Sequence, residues 1–335
     1  MGTRMRLGIL TRDEPIFSLL VYRQNLEREF PALGIEIVSI PVDDPHFEES
    51  DVVWEPGLIS ARFPHPKLRQ CPKPVVVTVH GLAAHTLSVR EYFTDPVEAI
   101  LGQAFHQQVA AEWQWFGEKV SRVIAVSRYG AEEVTSIYDM PPEKVVAIYH
   151  GIDHNVFNVQ GEQKTAERPY LLQIAQFAPK KNVDRLLEAY AQLPEATRPD
   201  LVVILPNYKG ADPDIKGVQI IREGLVHEEL ACWYRGALGF IFPSIHETFG
   251  MPVLEAMACG CPVVSADGTA IPELAGDATI LVNPRSVEEI ASGIQRLVKD
   301  RSLRRRLRAK GLARARLFTW EKTAREHLDV FEAVQ

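Results

Sequence analysis

The sequence predicts an α/β protein made of two doubly wound, Rossmann-like domains, and three observations carry that expectation. Short β-branched apolar runs alternate with longer helical stretches along the whole chain. Runs such as Val75–Val79 are apolar on both faces, which suits parallel strands covered by helices. A polar, aperiodic stretch from Val156 to Arg168 divides the alternation in two, and 335 residues suffice for two domains of ordinary size.

In chain order, Met5–Leu10, Ile35–Ile40, Asp51–Trp54, Val75–His80, Val123–Ser127 and Val145–Tyr149 read as strands. Asn25–Phe30, Val97–Phe116 and Ala131–Tyr138 read as helices between them. After the linker, the strands are Tyr170–Gln176, Leu201–Leu205, Val218–Ile221, Gly239–Phe242, Val263–Ser265 and Thr279–Val282. Asn182–Leu193, His227–Arg235, Val287–Lys299 and the long terminal stretch are the helices. The expected domains are 1–157 and 169–316, with a linker at 158–168 and a terminal helical segment at 317–335. Two such domains predict a cleft between them, the usual place for a ligand.

Composition narrows the function classes. Apolar residues at 46% and charged residues at 24% are those of a soluble globular protein. A formal charge of −7 gives no footprint for nucleic acid. No apolar run approaches the ~20 residues of a spanning helix, and the opening MGTRMRLGILTRDE lacks the apolar core and cleavage site of a signal peptide. The expectation is a cytoplasmic protein. Four cysteines make no disulfide framework, and Cys259-x-Cys261 has no further ligand at metal spacing. Asp212-Pro213-Asp214 follows a turn and not an apolar strand, so it too is no metal site. The basic stretch Arg301–Arg316 suits either an anionic lipid surface or a solvated helix face; its stripe of Leu303, Leu307, Leu312 and Leu317 favours the second.

The most informative segment is Phe242–Val264, FPSIHETFGMPVLEAMACGCPVV. Pro243-Ser244 ends a strand, Phe249-Gly250 lets backbone approach a ligand closely, and Pro252 suits the first turn of a helix. Gly260 and Pro262 stop that helix. Glu247 and Glu255 bracket its start. The exposed N–H groups of a helix start bind anions, whereas a carboxylate on either side repels a bare phosphate unless it grips hydroxyls. The pattern therefore fits a diphosphate flanked by a sugar and a ribose. Two solvated glutamates on an ordinary strand–helix–strand unit remain the alternative.

This segment resembles the signature of the retaining glycosyltransferases of family 4, glycosyl transferases group 1, which have the GT-B fold. Glu247, Phe249, Gly250, Glu255, Ala256, Met257, Ala258, Gly260, Pro262 and Val263 match the family pattern. VIAVSRYG at 123–130 and IYHGID at 148–153 look like further landmarks. The resemblance implies two Rossmann-like domains facing a cleft, with a terminal helix, Glu321–Val334, crossing back to the first domain. It implies transfer of a hexose, with retained configuration, from a UDP- or GDP-sugar to a hydroxyl acceptor, in reactions such as surface polysaccharide or glycolipid assembly. No cofactor or metal is required on this reading. The partners are the nucleotide sugar and an acceptor of unknown kind (a sugar, a lipid-linked sugar or a small molecule); nucleic acid is not among them, and membrane contact is left open.

The same resemblance assigns roles. Glu247 faces the donor sugar, and Glu255 holds the ribose hydroxyls. Lys181 stabilises the leaving diphosphate with Gln176 as a weak assistant. His80, at the end of a strand, lies near sugar and acceptor. Phe249, Gly250, Met251 and Val253 line the phosphate and sugar, and Leu225 and Val226 offer backbone groups to the base. The chain departs from the pattern in three places. Ala175-Gln176 stands where Gly-Arg is usual, and Gln carries no charge for phosphate. The Gly-Gly turn after the first strand is absent, and Thr11–Phe17 there suits the acceptor instead. The strand Leu201–Leu205 lacks a following Gly-x-Gly. These departures keep a second reading open, a degenerate GT-B subunit that binds nucleotide or a partner without catalysis.

Overall fold

The structure is a computed structural model and describes residues 5–11, 16–43, 45–206 and 208–335. The alternation of the sequence appears as two parallel sheets. In the first half, β1 (Met5–Thr11), α1 (Phe17–Glu29), β2 (Ile35–Pro41), β3 (Val52–Leu58) and β4 (Val75–Val79) are followed by the single turns α2 (Ala83–Thr86) and α3 (Val89–Tyr92). Then come α4 (Pro96–Lys119), β5 (Arg122–Ala125), α5 (Arg128–Ile137) and β6 (Val145–Ala147). The second half runs β7 (Tyr170–Ile174), α6 (Val183–Ala191), β8 (Asp200–Ile204), β9 (Val218–Ile221), α7 (His227–Gly236), β10 (Gly239–Phe242) and α8 (Met251–Ala258). It ends with β11 (Val263–Ala266), α9 (Ile271–Ala275), β12 (Thr279–Val282), α10 (Val287–Lys299), α11 (Arg301–Ala315) and α12 (Trp320–Glu332). The acceptor expectation for Thr11–Phe17 falls largely on residues 12–15, outside the described residues, while Phe17 opens α1.

The chain divides into two compact units. Unit 1 takes Met1–Leu87, Asp95–Gly151 and Phe318–Gln335; unit 2 takes Ser88–Thr94 and Ile152–Leu317. In unit 1 the described strands form a six-stranded parallel sheet in the order β2-β1-β3-β4-β5-β6. Every residue of β3 and β4 is buried, and β4 accordingly reads as a nearly continuous apolar run. The last helix completes this unit. α12 buries Trp320, Thr323, Ala324, His327, Val330 and Phe331, and the Phe331 ring meets those of Phe30 and Trp54, both at 5.9 Å between centroids.

A directed hydrogen-bond chain runs through this packing. His327 Nδ1 lies 2.7 Å from the carbonyl of Thr323, which only accepts, so Nδ1 carries the proton. Burial drives the His327 pKa down to about 4, so the ring is neutral and Nε2 accepts from the Tyr22 hydroxyl at 2.6 Å. The Tyr22 oxygen then accepts from Thr78 at 3.2 Å, and Thr78 accepts from Trp54 Nε1 at 3.0 Å. Gly151 meets the start of α12 without a side chain. A Cβ there would lie 2.1 Å from the backbone N of Trp320 and 2.4 Å from the carbonyl carbon of Thr319.

Unit 2 has its own six-stranded parallel sheet, in the order β12-β11-β10-β7-β8-β9. From the central pair β7 and β10 the chain winds outward in opposite directions, so the loops leaving the carboxyl ends of these two strands part at a topological switch point. Its core sets Leu171, Val203, Ile241 and Val264 of the strands against Leu186 of α6, Ile294 and Leu297 of α10 and Leu307 of α11. The stretch expected as a linker, 158–168, lies within unit 2, where Arg235 donates to the carbonyls of Asn158 and Glu162. The four cysteines are free. No helix among the described residues is long and apolar enough to cross a membrane.

Gly151→Ala drives a methyl group into backbone that has no rotamer by which to give way. Urea denaturation should show a loss of several kcal/mol, with α12 the first segment cleaved in limited proteolysis. Unchanged stability would contradict this packing of Gly151 on α12.

Candidate active site

The two loops that part at the switch point of unit 2 meet again through one ion pair. After β7 the chain makes a tight turn at Pro179–Lys181, closed by Asn182 in the left-handed region at φ 62°, ψ 33°. An Asn tolerates that region better than most residues. Its side chain adds a reason for the choice. Asn182 Nδ2 donates to the carbonyls of Pro243 at 2.8 Å and Pro284 at 2.6 Å, so one buried amide ties the loops after β7, β10 and β12 together. Arg185 Nη1 donates to its oxygen at 2.9 Å. The Ile245 amide donates to the Lys180 carbonyl at 2.8 Å.

This framework aims Lys181 at Glu247. Nζ and Oε1 are 2.6 Å apart, and the side chains are only 18% and 12% exposed. Ser244 Oγ donates to the same oxygen at 2.6 Å. Burial by itself raises the pKa of Glu247, but the charges of Lys181 and Lys180 and the hydrogen bonds from Lys181 and Ser244 outweigh it and hold the carboxyl below its ordinary value. Glu247 is therefore a charged, oriented carboxylate. Its backbone is fixed as well, since its amide donates to Thr269 Oγ1 at 3.2 Å and its carbonyl accepts from Ala270. Gly250 begins α8 at φ 110°, and a Cβ there would sit 2.6 Å from Ile271 Cδ1, so both conformation and space demand glycine.

Glu255, one turn into α8, has the opposite surroundings. It is 7% exposed, and the Tyr234 hydroxyl donates to it at 3.3 Å. Burial pushes its pKa up to about 7, with the Tyr234 bond opposing weakly. Its own burial, and after it the neighbouring Glu255 carboxylate, push the Tyr234 hydroxyl well above its usual range.

Comparisons with known proteins bear on the family and the fold. A family model described as Glycosyl transferases group 1 matches residues 168–300, and one described as Glycosyltransferase Family 4 matches residues 46–156. The chain belongs to glycosyltransferase family 4. It is 28% identical over 275 residues to the O-antigen chain mannosyltransferase B of Escherichia coli, covering 77% of this chain and 70% of that protein. It is 28% identical over 236 residues to the serotype-specific mannosyltransferase WbdA of Escherichia coli, where it covers 64% of this chain but spans only 29% of the relative. Among solved structures, sucrose-phosphate synthase from Thermosynechococcus elongatus superposes with a TM-score of 0.74 at 18% identity, over 98% of this chain and 99% of that one. An Anabaena protein in complex with UDP-glucose superposes at 0.68 and 16% identity, over 98% and 100% of the two chains. These likenesses, with the two parallel sheets, show the GT-B fold.

In this glycosyltransferase the residues singled out from sequence fall into three groups. Lys181, Glu247, Phe249, Gly250, Met251, Val253 and Glu255 lie together around the start of α8. Val253 and Phe249 are buried, and the Val253 amide donates to the Gly250 carbonyl, so Val253 presents neither side chain nor N–H outward. Gln176 is exposed two residues beyond β7; Leu225 is half-buried, and Val226 is 60% exposed before α7. The Val226 amide donates to the Glu229 carboxylate at 3.2 Å and the Val226 carbonyl accepts from Leu230 at 3.0 Å, so both backbone groups of Val226 already have partners within the chain. His80 belongs to unit 1, where Nε2 donates to the Pro56 carbonyl at 2.7 Å and the ring stands edge-on to Tyr22. Asp212 pairs with Arg222 at 2.7 Å.

Sequence reasoning missed the supporting roles of Ser244, Asn182 and Tyr234. A Ser three residues before a Glu in a loop is a usable signal for the first; nothing in the sequence marks Tyr234. It also missed Ser88–Thr94, which groups with unit 2. There Glu91 pairs with Arg285 at 2.7 Å, and Lys180 Nζ lies 5.9 Å from the Tyr92 ring centre.

Two outcomes follow for the site. The folded pKa of Glu255 exceeds that of an exposed glutamate, so the folded chain binds the proton more tightly than the unfolded chain. The resulting stability is complete near pH 4 and is lost as pH rises through about 7. Thermal melts of Glu255→Gln against the parent should show this loss removed, a difference of up to roughly 3 kcal/mol between pH 5 and pH 8; parallel pH profiles would refute the assignment. For Asn182, the Gly variant keeps the left-handed backbone and loses the amide bonds, about 2 kcal/mol in denaturation experiments. Asn182→Ala adds backbone strain and should be less stable still. If the two variants match the parent, the amide ties nothing.

Proposed function

We propose that this family 4 enzyme transfers a mannosyl group from a nucleotide diphosphate sugar, UDP- or GDP-linked, to a hydroxyl of a saccharide acceptor, with the anomeric configuration retained. The observation that carries this reading is the buried triad of Lys181, Glu247 and Ser244 beside the start of α8. The mannosyl assignment is supported by the names of the two Escherichia coli relatives. The Anabaena structure, which holds UDP-glucose, supports a nucleotide-sugar donor.

The chemistry follows from the charges. Breaking the bond between the anomeric carbon and the diphosphate leaves negative charge on the leaving group and positive character on the sugar. Lys181 and the backbone amides of Gly250 and Met251 at the start of α8 answer the negative charge, and such preorganised groups are worth several kcal/mol in the transition state. This reading needs no metal, because Lys181 supplies the cation. Glu247 is already charged and held, so it can accept from sugar hydroxyls and favour positive character at the reacting carbon without reorganising. Glu255 accepts from the ribose hydroxyls; their donation draws a carboxyl poised near neutrality into its charged form. Unit 1, with His80, is assigned to the acceptor. The non-catalytic alternative rests on Gln176, exposed where the family carries Arg.

The test is incubation of the pure chain with UDP- and GDP-hexoses and short mannose oligosaccharides, following nucleotide diphosphate release and, by NMR, the new anomeric centre. Release with a mannosyl donor and a retained centre is the expected result, insensitive to chelator. Glu247→Gln should lower kcat by 100-fold or more, on the order of 3 kcal/mol, whereas Glu255→Ala should chiefly weaken nucleotide binding in calorimetry. Nucleotide binding without release from any donor would favour the non-catalytic reading, and neither binding nor release would sink both.

A further inference from the structure

The chain carries a formal charge of −7, yet between Arg296 and Arg316 it holds ten Lys and Arg against a single acid, Asp300. The structure sorts these cations into two sets. Four are turned to internal use. Arg304 donates to the Leu297 and Val298 carbonyls at the end of α10, both at 2.6 Å, and Arg308 to the Gly260 carbonyl just past α8 at 2.7 Å. Arg314 donates to the Leu274 and Glu273 carbonyls of α9, and Lys310 pairs with Asp277 at 2.6 Å. Three arginines of α11 thus satisfy the orphan carbonyls at the ends of three other helices.

The other six, Arg296, Lys299, Arg301, Arg305, Arg306 and Arg316, are exposed, and none forms a salt bridge among the described residues. Arg296, Lys299 and Arg306 line a depression of about 330 Å³ where α10 turns into α11, together with Gln295, Asp300 and Leu303, and Arg301 and Arg305 stand exposed on the first turns of α11 beside it in sequence. Asp300 in its wall opposes a discrete phosphate. No aromatic ring occurs between Val287 and Arg316 on which a nucleobase would stack. The cations spread over the outer faces of two consecutive helices and do not converge on a point. That distribution complements a surface of diffuse negative charge.

We propose that this corner is a docking surface for an anionic phospholipid bilayer, held by charge and not by insertion. Its place in the fold suits an enzyme. α10 begins just after the carboxyl end of β12, on the side of the sheet where the loops of the candidate active site leave, and ends about 20 Å away at the basic corner. A bilayer against that corner leaves the α8 start open to a water-soluble donor. The rest of the chain, net acidic, is repelled by the same bilayer, so contact is confined to one orientation.

The test is co-sedimentation of the full chain with vesicles of phosphatidylglycerol and phosphatidylethanolamine, beside vesicles of phosphatidylcholine alone, at about 0.1 M salt. Binding should be confined to the anionic vesicles and be lost at about 0.5 M salt. The triple variant Arg301→Gln, Arg305→Gln, Arg306→Gln should bind roughly 100-fold more weakly, at about fivefold per cation. Arg325→Gln, an exposed arginine of unit 1 paired with Glu321, should bind as the parent does. Unchanged melting temperatures and unchanged nucleotide release without vesicles keep misfolding out of the comparison. Equal binding to both vesicle types, a triple variant that binds like the parent, or binding to homopolymeric RNA through these arginines but not to vesicles would each overturn the proposal.

Discussion

A carboxylate taken out of water must be given a cation and hydrogen bonds, or it will take up a proton. Glu247 is placed under that constraint, and much of unit 2 answers it. Lys181 has to arrive within 2.6 Å from a loop 66 residues earlier in the chain. It can do so because β7 and β10 are neighbours in the sheet although two helices and two strands separate them in sequence. The left-handed Asn182, with its amide spent on the Pro243 and Pro284 carbonyls, fixes the turn from which Lys181 reaches out. Strand order, loop geometry and side-chain charge are consistent with one another at this point, and consistency across levels is what lets a sequence specify one structure.

The two glutamates of the motif show how environment and not residue type sets chemistry. They sit eight residues apart, and both are withdrawn from solvent. One has a lysine and a serine against it and is held charged; the other has a tyrosine hydroxyl and an apolar helix around it and is poised near neutral pH. Two carboxyl groups pushed apart in this way can divide the work of a site between them. The basic helix α11 shows a similar division within a single run of sequence, since arginines one turn apart either close helix ends or face solvent.

The fold class was legible because parallel strands buried on both faces leave unmistakable apolar runs, and the strands of the second half coincide closely with them. Elements without such contrast were harder. α1 begins at Phe17, eight residues before the expected helix, since Ile16 offers no side-chain cap and Phe17 is itself exposed. β3 runs on from Trp54 to Leu58 through Glu55 and Pro56, residue types that mask a strand although Glu55 is buried within it. Within the site, Glu247, Glu255 and Lys181 were legible from local patterns. That Lys181 grips Glu247, and that Tyr234 rather than a cation faces Glu255, depended on which strands became neighbours, and no local pattern contains that information.

The division of unit 1 into separate chain segments has a temporal consequence. Its sheet is complete once β6 has been made, but the helix that covers Trp54, Phe30 and Tyr22 is encoded in the last eighteen residues. During synthesis, which proceeds from the N-terminus, all of unit 2 must be translated before that helix emerges. Unit 1 therefore waits, with aromatic surface uncovered and the Tyr22 hydroxyl without its imidazole, until α12 follows unit 2 out. A nascent chain that has not yet reached α12 lacks the closing piece of its first domain, however well its second has folded.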